Sequence, residues 1–194
     1  MFLLDRAMNV ELLDITPNAL EKIGQYAGIC YNSSMDSNSC VRRAISCKDK
    51  GHLATLRFAY AVFHVSGISR VCSHQFVRSK HLDFLQRSQR YCNESSTDFV
   101  IPPSANPDIV RAAYQAALDT YNELLKQGVK KEDARFVLPN GGSTELIVTG
   151  NFQAWLDFIS LRADTHAQQE IREVAKTINN KLSEHAPGLF NWMP

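Results

Sequence analysis

The segment from residue 75 to residue 91 constrains this chain more than any other, because two periodicities follow one another within it. Gln75 and Arg78 are three residues apart, which is the spacing of one helical face. The next segment alternates with a period of two, which is typical of a strand. One face of that strand carries Leu82, Phe84, Gln86, Ser88 and Arg90. The pattern predicts a helix that ends near Arg78, a strand to Tyr91 and a polar cluster suited to a small planar anion.

The same pattern has a less specific interpretation, an exposed edge strand with scattered charges. A second polar cluster, residues 160–170, lies between two apolar segments of helical spacing. We expect its Arg162 to be half-buried, and a buried guanidinium needs a partner. That partner is either a carboxylate, Asp157 or Asp164, or an anionic ligand. Asp164 and Thr165 also predict a junction between two helices.

Composition limits the classes of function that the chain can have. With 194 residues and 44% hydrophobic content, it can form one domain over residues 1–194 and bury a core. A net charge of +1 argues against bulk binding of nucleic acid. No apolar run is long enough to cross a membrane, and the N-terminus does not resemble a signal peptide. Five cysteines, an odd number, favour a reducing cytoplasm.

Turn residues and periodicity give a coarse secondary structure in which helices and strands do not alternate regularly. This mixture predicts an α+β domain, with helices around a small antiparallel or mixed sheet. The predicted strands are residues 58–65, the segment to residue 91 and 145–148. The predicted helices are residues 18–31, 40–50, 69–78, 107–128, 130–135 and two between 152 and 184.

Three separated segments together resemble the signature regions of the flavin-dependent thymidylate synthase family, also described as thymidylate synthase complementing proteins. They are residues 75–91, 134–139 and 161–168, and they occur in the family's order. With Gly51-His52 the resemblance covers residues 50–180. It implies that family's fold. The first signature of the family reads Arg-His-Arg, seven residues and Ser, whereas this chain has Arg78-Ser79-Lys80, seven residues and Ser88.

The resemblance implies that all three segments contact a uridine monophosphate nucleotide. Arg162 is the implied catalytic residue, since it would lie against the base and stabilise the form ionised at N3. The implied substrate-binding residues are Gln75, Phe76, Val77, Arg78, Gln86, Arg87, Ser88, Gln89, Arg90, Arg135 and Arg162.

The resemblance also implies a flavin site, but its residues depart from the family's pattern. Ser79 and Lys80 replace a histidine and an arginine, and Gln86 stands where glutamate is usual. Gln153 and Asp157 replace an arginine and an asparagine. We expect either an adapted flavin pocket or a changed reaction. The implied cofactor-binding residues are His52, Arg78, Ser79, Lys80, Gln86, Asn151, Gln153 and Asp157.

Activation of uracil carbon 5 requires electron density in the ring, and none of the five cysteines lies in the sequence context of an activated thiolate. Ionisation of the ring at N3 is more consistent with the Arg162 role that the resemblance implies, because a fixed cation can stabilise negative charge on the ring carbonyls. The resemblance implies conversion of dUMP to dTMP with FAD, methylenetetrahydrofolate and NADPH, in a homotetramer with shared sites. Modification of UMP or another uridine nucleotide, a hydroxymethyl product and a non-catalytic nucleotide-binding homologue remain alternatives. The histidines lack the spacing of metal ligands, so no metal is expected.

Overall fold

The structure is a computed structural model that describes residues 8–191. Helices and strands are mixed along the chain, which confirms the predicted α+β class. The strands are β1 (Asn9–Ile15), β2 (Tyr60–Ser69), β3 (Leu82–Gln86) and β4 (Ser143–Asn151). The helices are α1 (Ala19–Ile29), α2 (Ser37–Asp49), α3 (Arg70–Phe76), α4 (Pro107–Lys126), α5 (Lys131–Ala134), α6 (Phe152–Arg162) and α7 (Gln169–His185), with short 3-10 turns at Leu53–Phe58 and Arg135–Val137.

The four strands form one sheet in the order β1-β2-β4-β3. Strands β2 and β4 run antiparallel, because hydrogen bonds link the end of each strand to the beginning of the other. The Phe152 N–H donates to the Ala59 carbonyl at 2.9 Å, and the Arg70 N–H donates to the Gly142 carbonyl at 3.0 Å. Along β4 every second residue from Leu146 to Gly150 is buried, as expected for a strand with one face on the core.

The chain forms two compact units, whose boundaries fall within β2, β3 and β4. Among the described residues, the first unit consists mainly of residues 65–76 and 85–146. The second unit consists of residues 10–64, 77–84 and 147–191. The single domain over residues 1–194 stays a prediction.

In the first unit, α4 begins at a well-formed cap. The Asn106 side chain accepts a hydrogen bond from the Asp108 N–H at 3.0 Å, and Pro107 occupies the first turn, where no N–H is needed. The ring of Tyr114 on this helix stacks on Phe99, with 4.2 Å between ring centroids. Helix α4 is thereby fixed to the loop that follows β3.

In the second unit, α1 and α2 approach so closely that only glycine fits at their contact. A Cβ atom on Gly24 would lie 1.9 Å from the Cys40 carbonyl oxygen. Helix α6 packs on β2 through Trp155, whose indole N–H donates to the Ala61 carbonyl at 3.2 Å and whose ring meets Phe63 edge to face. These contacts bury the core of the unit.

The sequence patterns were wrong about the ends of two elements. Helix α3 ends at Phe76, so Gln75 and Arg78 do not share a helical face. The chain must turn before Leu82, and His81 adopts a positive φ of 63° in that turn. Strand β3 ends at Gln86 rather than at Tyr91.

Ser88 explains the early end of β3. Its hydroxyl accepts a hydrogen bond from the Arg90 N–H at 3.2 Å, and its carbonyl accepts one from the Cys92 N–H at 2.9 Å. Local serine bonds of this kind compete with strand pairing. Ser88 and Arg90 therefore lie in a turn and not on the predicted strand face. Strand β1 had no predicted counterpart, and only Val10 of its seven residues is buried.

Candidate active site

In the first unit, the segment after β3 forms a turn at residues 87–91, which we call the arginine turn. It begins from Gln86, whose amide nitrogen donates to the hydroxyls of Ser73 at 2.9 Å and Thr144 at 3.3 Å. Both donors of this amide are engaged within the protein, which fixes the start of the turn.

The end of the arginine turn is held by charge. The Arg90 Nε atom lies 2.5 Å from the Glu132 carboxylate, and the Lys131 ammonium donates to the Tyr91 carbonyl at 3.0 Å. The hydrogen bond from Arg90 and its positive charge lower the pKa of Glu132. Arg90 is 58% exposed, so its guanidinium stays accessible from solvent while it is paired.

The middle of the arginine turn is tied to the interior. The Arg87 Nε atom lies 3.5 Å from an oxygen of buried Glu94, close enough for an ion pair although not aligned as a hydrogen bond. Arg70 of α3 donates to the Arg87 carbonyl at 3.0 Å. Burial lowers the pKa of Arg70, the charge of Glu94 opposes this shift, and Arg135 and Arg87 reinforce it.

Arg135 belongs to the same charged group, since its charge acts on both Arg70 and Glu132. Its Nε–H donates to the Glu132 carbonyl at 3.0 Å. The group thus contains more guanidinium groups than carboxylates, which leaves a positive surplus suited to an anion. Its members are Arg70, Arg87, Arg90, Arg135, Glu94 and Glu132.

The remaining predicted residues of the first unit differ in exposure. Gln75 is half-buried in α3 and its amide reaches the Val71 carbonyl at 3.5 Å. Phe76 is fully buried, so its side chain belongs to the core and only its backbone is available to a ligand. Gln89 is half-buried within the arginine turn.

In the second unit, the turn before β3 carries Val77, Arg78, Ser79 and Lys80. The side chains of Val77, Arg78 and Lys80 are exposed. The Ser79 hydroxyl is different, because it is buried and has no hydrogen-bond partner within residues 8–191. A buried hydroxyl without a partner is uncommon and indicates a place for an additional group.

His52 follows the end of α2, where the chain forms a Schellman motif. The His52 N–H donates to the Cys47 carbonyl at 2.8 Å, and the Gly51 N–H donates to the Lys48 carbonyl at 3.0 Å. Gly51 has a φ of 76°, which favours glycine. The exposed His52 borders a cavity of about 620 Å³, which falls in the usual range for small-molecule sites. Its polar lining includes Arg43, Ser46, Lys50, His52 and Thr55, and none of its lining residues within residues 8–191 is a carboxylate.

Three further predicted residues lie at the start of α6. Asn151 caps the helix, because its side chain accepts from the Ala154 N–H at 2.9 Å. The amide nitrogen of Gln153 donates to Asp157 at 2.8 Å. The amide oxygen of Gln153 is buried and has no partner in the part of the chain that the structure describes.

Arg162 is the last residue of α6, and the predicted junction between helices follows it. Arg162 is half-buried, and its Nε atom lies below the surface. Asp164 accepts hydrogen bonds from the backbone and ring of His166, at 2.8 and 2.7 Å, which lower its pKa. The His166 side chain is 95% exposed, so this pair lies at the surface.

Within residues 8–191, no group of three His, Cys, Asp or Glu side chains is arranged to hold a metal ion. None of the helices in the same residues combines the length and the apolar character that a membrane-spanning helix requires.

The chain was then compared with known proteins. Residues 11–188 match the family model described as thymidylate synthase complementing protein. The chain belongs to this family. It is 36% identical to a flavin-dependent thymidylate synthase of Mycobacteroides abscessus, over 86% of this chain and 76% of that protein.

Proteins of the same name from Mycobacterium avium and Mycobacterium tuberculosis are each 37% identical, over 73% of this chain and 65% of their own length. The chain thus spans about two thirds of these two relatives. The predicted family, the class of enzyme and the flavin requirement are confirmed at the level of this thymidylate synthase complementing protein family.

Three members of the charged group were not predicted from the sequence, namely Arg70, Glu94 and Glu132. Glu132 lies three residues before Arg135, so spacing along a helical turn was an available signal. Arg70 and Glu94 meet only through the fold, and no local spacing marks them. The roles predicted for the other site residues stay predictions.

The residues of the second unit fit a flavin, which is the cofactor of this thymidylate synthase complementing protein family. Flavins carry ring carbonyls, a ring N–H and ribityl hydroxyls. These groups complement the two buried polar atoms without partners, the Ser79 hydroxyl and the Gln153 amide oxygen. Among the described residues, the cavity beside His52 carries Arg43 and Lys50 and no carboxylate, which is compatible with a diphosphate.

Proposed function

We propose that this protein catalyses the reductive methylation of dUMP at carbon 5 to give dTMP, with methylenetetrahydrofolate as the carbon donor. The observation that carries this proposal is the positive surplus of the charged group around the arginine turn, in a chain that belongs to a thymidylate synthase complementing protein family. A nucleotide monophosphate provides the dianion that such a surplus favours.

The arginine turn and Arg135 bind the nucleotide. Arg90 and Arg135 hold the phosphate as charge-assisted donors, while Ser88 and Gln89 offer a hydroxyl and an amide to the sugar and the base. Gln75 and the Arg78 guanidinium complete the binding set, together with the backbone of Phe76 and Val77. Ser88 has a binding role here, because its hydroxyl already accepts from the Arg90 N–H.

Arg162 acts on the base. Its permanently charged guanidinium stabilises the uracil ring ionised at N3, so that electron density moves to carbon 5. No covalent bond to the protein is needed for this step. None of the five cysteines forms a disulfide bond, and two of them, Cys40 and Cys72, are buried.

His52, Arg78, Ser79, Lys80, Gln86, Asn151, Gln153 and Asp157 are the residues proposed to hold FAD. When bound, the reduced flavin supplies the hydride that completes the methyl group. The protein's own residues position it through hydroxyl, amide and cationic groups. The family's arginine and histidine are replaced by Ser79, Lys80 and Gln153, so we expect the flavin to be retained less tightly than with bidentate arginine contacts.

The proposal extends to three properties of the assembled enzyme. NADPH serves as the reductant of the flavin, and four copies of the chain assemble so that sites are shared between subunits. Large exposed apolar side chains such as Leu85 and Phe136, at 76% and 84%, are compatible with further burial between copies. A reducing compartment such as the cytoplasm suits five cysteines that form no disulfide bond.

The test is the release of tritium from dUMP labelled at carbon 5, with FAD, NADPH and methylenetetrahydrofolate present. We expect dTMP to form in step with tritium release, and UMP to react more slowly. Faster turnover of UMP, or a hydroxymethyl product, would redirect the proposal to those alternatives. A protein that binds dUMP but neither retains flavin nor releases tritium would contradict it.

A further inference from the structure

Glu94 is a buried carboxylate that the proposed reaction does not use. It is 1% exposed, and it is the only charged residue among residues 8–191 to fall in the buried class. Carboxylates are almost never buried to this degree unless they are paired. We therefore expect the residues around Glu94 to compensate its buried charge.

The position of Glu94 is fixed on several sides. One of its carboxylate oxygens accepts a hydrogen bond from the Thr97 hydroxyl, and its backbone N–H donates to the Tyr121 hydroxyl at 3.4 Å. Tyr121 is fully buried in α4. Glu94 is thus anchored to a rigid helix as well as to its own loop.

From this anchor, the negative charge of Glu94 acts on two guanidinium groups of the first unit. Arg87 is paired with it at 3.5 Å, and Glu94 opposes the loss of charge that burial imposes on Arg70. Arg70 in turn donates to the Arg87 carbonyl at 3.0 Å. Both the side chain and the backbone of Arg87 are therefore held in place with the help of one carboxylate.

Arg87 is the first residue of the arginine turn, which follows the end of β3 at Gln86, and its N–H still donates to the Glu145 carbonyl of β4 at 3.0 Å. Beyond this bond, the turn is held by the side chains of Arg87, Arg90 and Lys131 and by local bonds to Ser88. Without Glu94, the positive charges of Arg70 and Arg87 would remain close together in a half-buried place, which is unfavourable. The start of the turn would then move to bring them into water.

We propose that Glu94 is a positioning residue, which holds the arginine turn in its nucleotide-binding conformation through Arg87 and Arg70. This inference rests on the proposed function, because it takes the turn to be the nucleotide site. Glu94 itself does not touch the nucleotide. If Glu94 acted only through its charge, its removal would strengthen dUMP binding, because a negative charge near an anion site weakens anion binding. A positioning role predicts the opposite, weaker dUMP binding.

The first experiment compares dUMP binding in Glu94→Gln and Glu123→Gln. The second substitution removes the same charge from an exposed position of α4, where the carboxylate is 59% exposed. We expect Glu94→Gln to raise the Kd and KM for dUMP about tenfold while kcat changes less than about threefold, and the control to match the wild type. An unchanged or lower Kd in Glu94→Gln would overturn the proposal.

The second experiment measures the order of the turn without any nucleotide. Trypsin cleaves after Arg87 and Arg90, and the rate of nicking there reports how often the turn opens. We expect faster nicking in Glu94→Gln than in the wild type and in Glu123→Gln, and equal rates would overturn the proposal. A wild-type protein that fails to bind dUMP would contradict the proposed function instead, while the nicking rates still decide the role of Glu94.

A conservative variant covers the case in which Glu94→Gln does not fold. Glu94→Asp keeps the charge but shortens the side chain, so it retains the pairing at a longer distance. We expect a Kd and a nicking rate between those of the wild type and a turn without its carboxylate. Wild-type values for both in Glu94→Asp, with Glu94→Gln unfolded, would show a role in stability alone and overturn the proposal.

Discussion

The two units of this protein satisfy their polar site residues in opposite ways. In the first unit, Arg87 and Arg90 are each paired with a carboxylate, and the buried atoms without a hydrogen bond within residues 8–191, Arg70 Nε, Arg87 Nε and one Glu94 oxygen, all belong to charged side chains of the charged group. In the second unit, Ser79 and Gln153 each contain a buried polar atom without a partner in residues 8–191. The first unit therefore compensates its unbonded buried atoms by charge, whereas the second unit has neutral hydrogen-bonding groups left for a ligand.

This difference has an energetic meaning. A turn that is already held in place loses little conformational entropy when a ligand binds, so most of the interaction energy remains as affinity. A buried polar atom without a partner costs about 1–3 kcal/mol, and a ligand that supplies the missing bond recovers that cost. We therefore expect nucleotide binding to depend on charge and flavin binding to depend on hydrogen bonds.

The largest effect is expected for Arg162→Lys. Lysine keeps one positive charge but loses the planar fork that can face the uracil carbonyls. We expect turnover to fall about 100-fold, as for loss of a transition-state donor, while the Kd for dUMP changes less than about threefold. Single-turnover rates and equilibrium binding measured on the same preparation separate the two. Equal losses in rate and affinity would indicate that Arg162 only anchors the nucleotide.

Arg90→Ala is expected to have the next largest effect, and on binding instead of turnover. Loss of one charge-assisted contact to phosphate should raise the Kd for dUMP about tenfold and flatten its dependence on salt. Calorimetric titration at two ionic strengths measures both. Arg111→Ala is the matched control, because Arg111 lies on the exposed face of α4 beside Asp108. A similar loss in the control would mean that overall charge, and not the arginine turn, governs binding.

The contrast between the units also separates what sequence patterns can predict from what they cannot. The long helix α4 was predicted closely, because Asn106, Pro107 and Gly128 mark its ends by local chemistry. The family itself was predicted from three short segments, because their residue types and order are specific. The junction after Arg162 was likewise marked by polar residues.

Sequence patterns gave wrong predictions where contacts within the fold override the local periodicity of the residues. Alternation continues beyond Gln86 in the sequence, but the Ser88 hydroxyl bonds its own loop and ends the strand. Glu94 is paired with Arg87 and its charge acts on Arg70 of α3, and no spacing rule foresees this arrangement. Three of the six members of the charged group were therefore not among the site residues predicted from the sequence.

Two serine variants compare the units directly. Ser79→Ala removes a buried hydroxyl that has no partner within residues 8–191, so we expect slightly higher thermal stability of the flavin-free protein and about fivefold weaker retention of flavin. Ser88→Ala removes the acceptor of the Arg90 N–H, so we expect a modest, about threefold, rise in the Kd for dUMP and no change in flavin retention. Visible absorption after gel filtration and dUMP titration measure the two effects. Weaker dUMP binding in Ser79→Ala and weaker flavin retention in Ser88→Ala would contradict the roles proposed for these two serines.

The smallest effect is expected for the pH dependence of the pair between Arg90 and Glu132. The pKa of Glu132 is lowered from 4.5 by the hydrogen bond and charge of Arg90, so the pair stabilises the fold above the unfolded pKa and this contribution disappears as pH falls through the lowered folded value. We expect the wild type to melt slightly above Glu132→Gln near about pH 7, and the two to converge near about pH 3.

Thermal unfolding of both proteins across that range measures the difference, with Glu123→Gln as the exposed control. Because the Arg90 side chain is 58% exposed, solvent screens the pair and the expected shift in Tm is small. Its disappearance in high salt would confirm a screened surface pair. A difference in Tm that persists below the folded pKa would show that Glu132 holds the arginine turn by packing rather than by charge, as its backbone contact with Arg135 permits.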